Sequence, residues 1–276
     1  MKLAANLHHL YQELPPLARV EAAAHDGFDG VEWPFPHGIS PAALAERLHT
    51  TGLPLVLINT PLGPRGEPGL AAVPDAEAHF RDGVERSLDF AQRTGCTRLH
   101  LMAGCPPHEG RSMQGALDPA TRDLLLRRLQ WAVALARQAG VLLLLEPLNR
   151  HDVPGYAYHR PEQVVALIEA LDAPGLRLLF DIYHAAREGL DVPQALQAHH
   201  ACIGHVQIAQ APGRTAPDLE RPATLQALQV LADLGHEGWL GLEYHPGGPT
   251  ADSLGWRHPL RLLLQQARPR HEEVRA

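Results

Sequence analysis

Short apolar runs alternate with longer stretches of helical periodicity from one end of the chain to the other, and this rhythm constrains the fold more than any other feature. The apolar runs that read as strands are Leu3–Leu7, Gly30–Trp33, Leu55–Asn59, Arg98–Ala103, Val141–Glu146, Arg177–Asp181, His205–Ala209 and Leu240–Tyr244. Helical patterns lie between them at Pro16–His25, Pro41–Thr50, Ala76–Thr94, Pro119–Ala139, Pro161–Leu171 and Thr224–Leu234. Ser40-Pro41 and Asp118-Pro119 place a capping side chain before a proline at the first helical position. Gly52, Gly95, Gly140 and Gly235 follow helical stretches, where a left-handed residue ends a helix.

Strands separated by crossover helices run parallel. An open doubly wound sheet and a closed barrel both satisfy that rule. Eight units, no GxGxxG after the first strand, and 276 residues against the ~250 typical of such barrels favour the α/β TIM barrel. The expectation is a single-domain (β/α)₈ barrel over residues 1–268, with a polar C-terminal tail over 269–276. The Pro/Gly-rich stretch Pro61–Pro74 reads as a long loop after the third strand. A net charge of -7 argues against a nucleic-acid partner. No stretch has the length of a membrane span and the start lacks a signal-peptide pattern, so a cytoplasmic protein is expected. Cys96, Cys105 and Cys202 show no paired spacing, which suits a reducing compartment.

Barrel function sits at the carboxyl ends of the strands. Reading those ends in order, LLLLEP closes on Glu146, LLFDIYH carries Asp181, HVQIAQ carries Gln207, and LGLEYHP closes on Glu243. One carboxylate at the end of an apolar strand is commonly a helix cap or a salt bridge. Three carboxylates and an amide on four consecutive strands point instead to metal or substrate binding, because buried charge needs a partner. An all-oxygen set suits one hard divalent cation, Mg²⁺ or Mn²⁺, rather than zinc.

His184 follows Asp181 by three residues and stands out from the other histidines by its place at a strand end. His205 alternates in phase with Gln207 and is expected to face the lumen or to pack. Asn6 and Asn59, near the ends of strands one and three, are candidate pocket polars. Trp33, Phe35, Tyr244 and His245 are candidate pocket walls.

The stretches AANL, GFDGVEWPFP, FRDGVERSLDFAQRTG, LLLLEPLNRHDVPGY, FDIYH, IGHVQIAQAPGR and GWLGLEYHP carry a resemblance. From about Leu3 to Pro259 the chain resembles the hydroxypyruvate isomerase family of xylose-isomerase-like TIM barrels, which includes 2-oxo-tetronate isomerases. The resemblance implies that Glu146, Asp181, Gln207 and Glu243 are metal ligands. It implies that Glu146 and Glu243 also form the acid/base pair, and that His184 and Arg214 contact substrate oxygens. The reaction would interconvert a small hydroxy-keto acid and its isomer by proton transfer through an enediolate. The partner would be a small hydroxy-carbonyl molecule, and association into homo-oligomers is left open.

Two loops depart from the family pattern. A GERG stretch usual in the third loop reads Gly66-Glu67-Pro68-Gly69 here, with Arg65 as a nearby substitute cation. A glycine-rich segment usual after Arg214 reads Thr215-Ala216-Pro217-Asp218-Leu219-Glu220. The loops at 61–75 and 212–222 therefore bear on the substrate without touching the quartet. A ketose 3-epimerase or other sugar isomerase could use the same site. A metal-dependent endonuclease on the same barrel would want more histidine ligands and a basic face.

Overall fold

The computed structural model describes residues 1–36, 38–107 and 117–266. Its strands are β1 (Lys2–Asn6), β2 (Gly30–Glu32), β3 (Leu55–Asn59), β4 (Arg98–His100), β5 (Leu142–Leu145), β6 (Leu176–Asp181), β7 (Ile203–Ile208) and β8 (Trp239–Leu242). Every neighbouring pair is parallel, the order follows the sequence, and β8 pairs with β1 to close the barrel. The closed (β/α)₈ architecture is thus the one the alternation predicts. The helices are α1 (Pro16–His25), α2 (Pro41–Thr51), α3 (Glu77–Thr94), α4 (Pro119–Gln138), α5 (Pro161–Leu171), α6 (Ile182–Arg187), α7 (Val192–His199), α8 (Pro222–Asp233) and α9 (Arg257–Gln266).

Alternation along the strands divides the interior in two. Ala5, Val31, Leu99, Leu143, Leu145, Phe180, Val206 and Leu242 point outward and join the helices in the main core. Ala4, Val56, Leu57, Leu144 and Leu179 form a separate small cluster inside the barrel. In phase with Ala4, Leu144 and Leu179 but nearer the carboxyl ends come Asn6, Glu146 and Asp181. The lumen is therefore apolar in its lower part and polar at its mouth, and that polar layer is the site.

Local signals work as expected at several ends. Asp118 Oδ1 accepts from the backbone N–H groups of Ala120 and Thr121 at 2.8 and 3.1 Å, capping α4. Gly95 ends α3 at φ +72°, a region costly for any other residue. The fourth strand is shorter than its apolar run. Met102 N–H donates to Thr60 Oγ1 at 3.0 Å and Ala103 N–H to the Tyr156 hydroxyl at 2.8 Å. Leu101 N–H still reaches the Leu144 carbonyl of β5, but side chains take the donors of Met102 and Ala103.

The helices α6, α7 and α9 escaped the periodicity reading. With six and eight residues, α6 and α7 span about two turns each, too few for a repeat to emerge. The loop after β3 lacks regular secondary structure, as expected, yet it is anchored. The buried Arg128 guanidinium of α4 donates to the carbonyls of Leu70, Ala71 and Val73 and pairs with Glu77. The boundary expected after residue 268 lies outside the described residues. No helix among the described residues is long and apolar enough to cross a membrane.

Candidate active site

Each member of the quartet reaches the mouth of the lumen from its own strand. Glu146 directly follows β5, Asp181 ends β6, Gln207 lies in β7, and Glu243 directly follows β8. Glu146, Asp181 and Gln207 are buried. Asp181 doubles as the N-cap of α6, where its Oδ1 accepts from Tyr183 N–H at 2.8 Å. That bond fixes the carboxylate and leaves Oδ2 buried without a hydrogen-bond partner.

Arg214 enters from the loop after β7. Its Nη2 is hydrogen-bonded to Glu243 Oε1 and lies 3.8 Å from Asp181 Oδ2, while Nε donates to the Glu243 carbonyl at 3.2 Å. The guanidinium stacks 4.9 Å above the Tyr183 ring. His9 Nε2 lies 3.4 Å from Glu243 on the other side. These neighbours drive the two glutamates apart. Burial pushes the Glu146 carboxyl upward, and the charges of Glu243 and Asp181 add to the shift. Burial also acts upward on Glu243, but Arg214 and His9 outweigh it and hold that carboxyl well below the usual range. Asp181 is pushed up to about 7 by burial, against the pull of Arg214. With no cation bound, Glu146 thus favours the acid and Glu243 the carboxylate.

His184 lies 3.7 Å from both Glu146 Oε1 and Asp181 Oδ2 through Nε2. Its Nδ1 receives the Asn149 backbone N–H at 3.1 Å. The Asn149 amide nitrogen stands 2.7 Å from the same Nδ1 and 2.9 Å from Asp152 Oδ2, while its oxygen accepts from His151 and Asp152 N–H. Burial pushes His184 down to about 3, so the ring is neutral. A neutral imidazole whose Nδ1 accepts carries its proton on Nε2. His184 is therefore built to donate toward an oxygen in the pocket. His100 of β4 lies with Nδ1 3.2 Å from Glu146 Oε2, and burial pushes it down to about 4.

Of the other residues singled out from sequence, Asn59 sits at the end of β3 with its amide 4.0 Å from Met102 Sδ. Arg65 is on the loop surface, 85% exposed, and paired with Glu67 at 2.8 Å rather than with the quartet. The rim gathers His9 and His245 with their rings 4.7 Å apart, and His8 beside Phe35 at 5.5 Å. Trp33 is buried in the main core.

The sequence reading passed over Glu32. This fully buried residue of β2 accepts from Gln207 Nε2 at 2.8 Å and Asn6 Nδ2 at 3.2 Å, and its Oε1 lies 2.5 Å from His205 Nε2. His205 thus faces the lumen. The signal for Glu32 was present, a lone glutamate in the apolar run Gly30–Trp33. A strand of three residues showed no alternation to set it off.

The donor set fits a divalent cation. Carboxylate oxygens of Glu146 and Asp181 lie within 4.8 Å of each other. Asp181 Oδ2 and Gln207 Oε1, both buried, have no hydrogen-bond partner. The His184 tautomer sets that ring apart from the oxygen donors, since Nε2–H offers no lone pair.

Fold and site together define a xylose isomerase-like TIM barrel, and the family model of that description matches residues 20–265. A putative hydroxypyruvate isomerase of Homo sapiens is 38% identical over 261 residues, covering 93% of this chain and 94% of that protein. A 2-oxo-tetronate isomerase of Cupriavidus necator is 38% identical over 260 residues, covering 94% and 98%. A crystal structure titled AP endonuclease, family 2, from Brucella melitensis superposes with a TM-score of 0.86 at 33% identity, covering 94% of this chain and 98% of that one. The chain belongs to the hydroxypyruvate isomerase family of these barrels, and it is an isomerase.

Proposed function

We propose that this protein is a metal-dependent isomerase that interconverts a small 2-keto-3-hydroxy acid and its hydroxy-aldehyde or keto isomer. Hydroxypyruvate with tartronate semialdehyde, and a 2-oxo-tetronate, are the substrate pairs that the related proteins' names suggest. The observation that carries the reading is the convergence of Glu146, Asp181, Gln207 and Glu243 at one barrel mouth, with Asp181 Oδ2 and Gln207 Oε1 buried and without hydrogen-bond partners. Glu146, Asp181, Gln207 and Glu243 would hold one Mg²⁺ or Mn²⁺, which supplies Lewis-acid polarisation of neighbouring substrate oxygens.

The chain's own groups account for the proton movements. Glu243, as carboxylate, removes the carbon-bound proton adjacent to the carbonyl. Glu146, as acid, returns a proton to the former carbonyl carbon, while the hydroxyl proton passes to the former carbonyl oxygen, so that carbonyl and hydroxyl exchange places. His184 Nε2–H donates to an oxygen on which charge develops, and Arg214 places a fixed cation beside the same oxygens. The burial of these groups strengthens each interaction by excluding water.

A second reading, a ketose 3-epimerase, draws support from the loop after β3. Pro68 stands where the family places an arginine, and Arg65 is engaged by Glu67. Fewer cations toward the pocket suit a neutral sugar. Endonuclease activity is disfavoured by the net charge of -7, since a phosphodiester polyanion calls for a basic face. Incubating Mn²⁺-loaded protein in D₂O with hydroxypyruvate, 2-oxo-tetronates and ketoses, followed by NMR, separates the readings. Deuterium entering the keto acids supports the isomerase. Exchange only at a ketose carbon transfers the assignment to the epimerase, and no exchange with any of them refutes both.

A further inference from the structure

A glutamine can hold a cation only through its carbonyl oxygen, and its amide group is nearly symmetric in shape. Something must decide which end faces the carboxylates. In this barrel the Gln207 Nε2 donates to Glu32 Oε2 at 2.8 Å, on the side away from its buried, unpartnered Oε1. The same Oε2 accepts from the donor-only Asn6 Nδ2, so it stands in this barrel as an acceptor. The reversed amide would set oxygen against oxygen at Glu32 and turn N–H groups toward Asp181, whose Cα is the register partner of Gln207.

Glu32 is itself firmly placed. Asn6 Nδ2 donates to the same Oε2 at 3.2 Å, and His205 Nε2 lies 2.5 Å from Oε1. The neighbouring strand makes room for it. A Cβ at Gly241 would stand 1.9 Å from Glu32 Oε1, so only glycine admits the carboxylate there. Four strands, β1, β2, β7 and β8, thus converge on one carboxylate.

We propose that Glu32 is the positioning residue of the cation site: it locks the Gln207 amide with its carbonyl oxygen toward Asp181 and so sets the affinity for the divalent ion. This rests on the metal-dependent reading of the site given above. Residues that orient a ligand typically carry ten- to a hundredfold in affinity.

The test is Mn²⁺ titration followed by electron paramagnetic resonance, with circular dichroism to confirm the fold. Glu32→Leu should raise the Mn²⁺ Kd about ten- to a hundredfold. In a Gln207→Glu background the ligand is acceptor-only at both ends and needs no orienting. There Glu32→Leu should leave the Kd unchanged or lower it, because a like charge is removed. Damage to the barrel would weaken binding in both backgrounds, which would overturn the assignment. Gly241→Ala, which displaces the Glu32 carboxylate while retaining it, should repeat the pattern and serves if Glu32→Leu does not fold. Mn²⁺ binding by the wild type with an unchanged Kd in Glu32→Leu overturns the assignment alone. No Mn²⁺ binding by the wild type overturns the metal reading and the assignment with it.

Discussion

The backbone N–H of Asn149 donates to Nδ1 of His184 at 3.1 Å, and this one bond decides which ring nitrogen carries the proton. Nε2–H then points between Glu146 and Asp181. A main-chain donor in the loop after β5 thereby leaves the proton of a histidine after β6 on Nε2.

That relationship can be tested at the Asn149 side chain, which braces the loop through Asp152. Asn149→Ala should lower kcat/KM about ten- to a hundredfold. The Mn²⁺ affinity should change much less. A loss of Mn²⁺ binding equal to that of Asp181→Ala would instead make His184 a ligand.

Glu146→Gln and Glu243→Gln should each reduce turnover at least about a thousandfold, because each removes both a proton-transfer group and a ligand charge. Asp181→Ala should lose the metal with the fold retained. Steady-state rates and metal content by elemental analysis check all three. Near-normal turnover in either glutamine variant refutes the acid/base pair, and unchanged metal content removes Asp181 from the site.

Arg214 is the cation shared by Glu243 and Asp181. Arg214→Ala leaves the carboxylates of Asp181 and Glu243 without their shared cation, and breaking a buried pair costs about 3 kcal/mol. In chelator the variant should therefore unfold at a lower temperature than the wild type. Added Mn²⁺ should raise its Tm by more than it raises that of the wild type. Equal increments, measured by scanning calorimetry, would show that the guanidinium does not balance the site.

His100 is buried and pushed down to about 4 from an ordinary 6.5. The unfolded chain takes up this proton below pH 6.5, whereas the folded protein refuses it until near pH 4. The stability tied to the neutral ring is present above pH 6.5 and is lost as pH falls toward 4. His100→Asn removes that dependence. The gap between wild type and variant should shift in the variant's favour over this window, by about 3 kcal/mol at most. The carboxyl of Glu146 shifts upward and acts in the opposite sense, but it is present in both proteins. Urea unfolding in chelator at pH 7 and pH 4.5 reads the difference, and a constant gap refutes the assignment.

The barrel was legible in the sequence because alternation is a local property. Leu143 and Leu145 bury outward and Leu144 inward whatever the rest of the chain does, once the segment is a strand. The strand ends carrying Glu146, Asp181, Gln207 and Glu243 could be read for the same reason, since a parallel barrel puts every carboxyl end on one face. Motif resemblance added Arg214 and a role for His184. The short helices α6 and α7 lay below the length at which a repeat declares itself.

What the sequence alone determined is the order of elements and which residues stand at the open end of the barrel. The tertiary structure decided what those residues touch. Glu32 lies 175 positions from Gln207 and 173 from His205, yet it hydrogen-bonds to the amide and faces the ring at 2.5 Å. Closure of β8 onto β1 and the register of eight strands set those encounters, and no local pattern encodes them. The same closure holds Arg214 against Glu243 while His100 and His184 flank Glu146. Two glutamates of one residue type thus acquire opposite protonation preferences, because a carboxyl's pKa follows the charges and the solvent around it rather than its place in the chain.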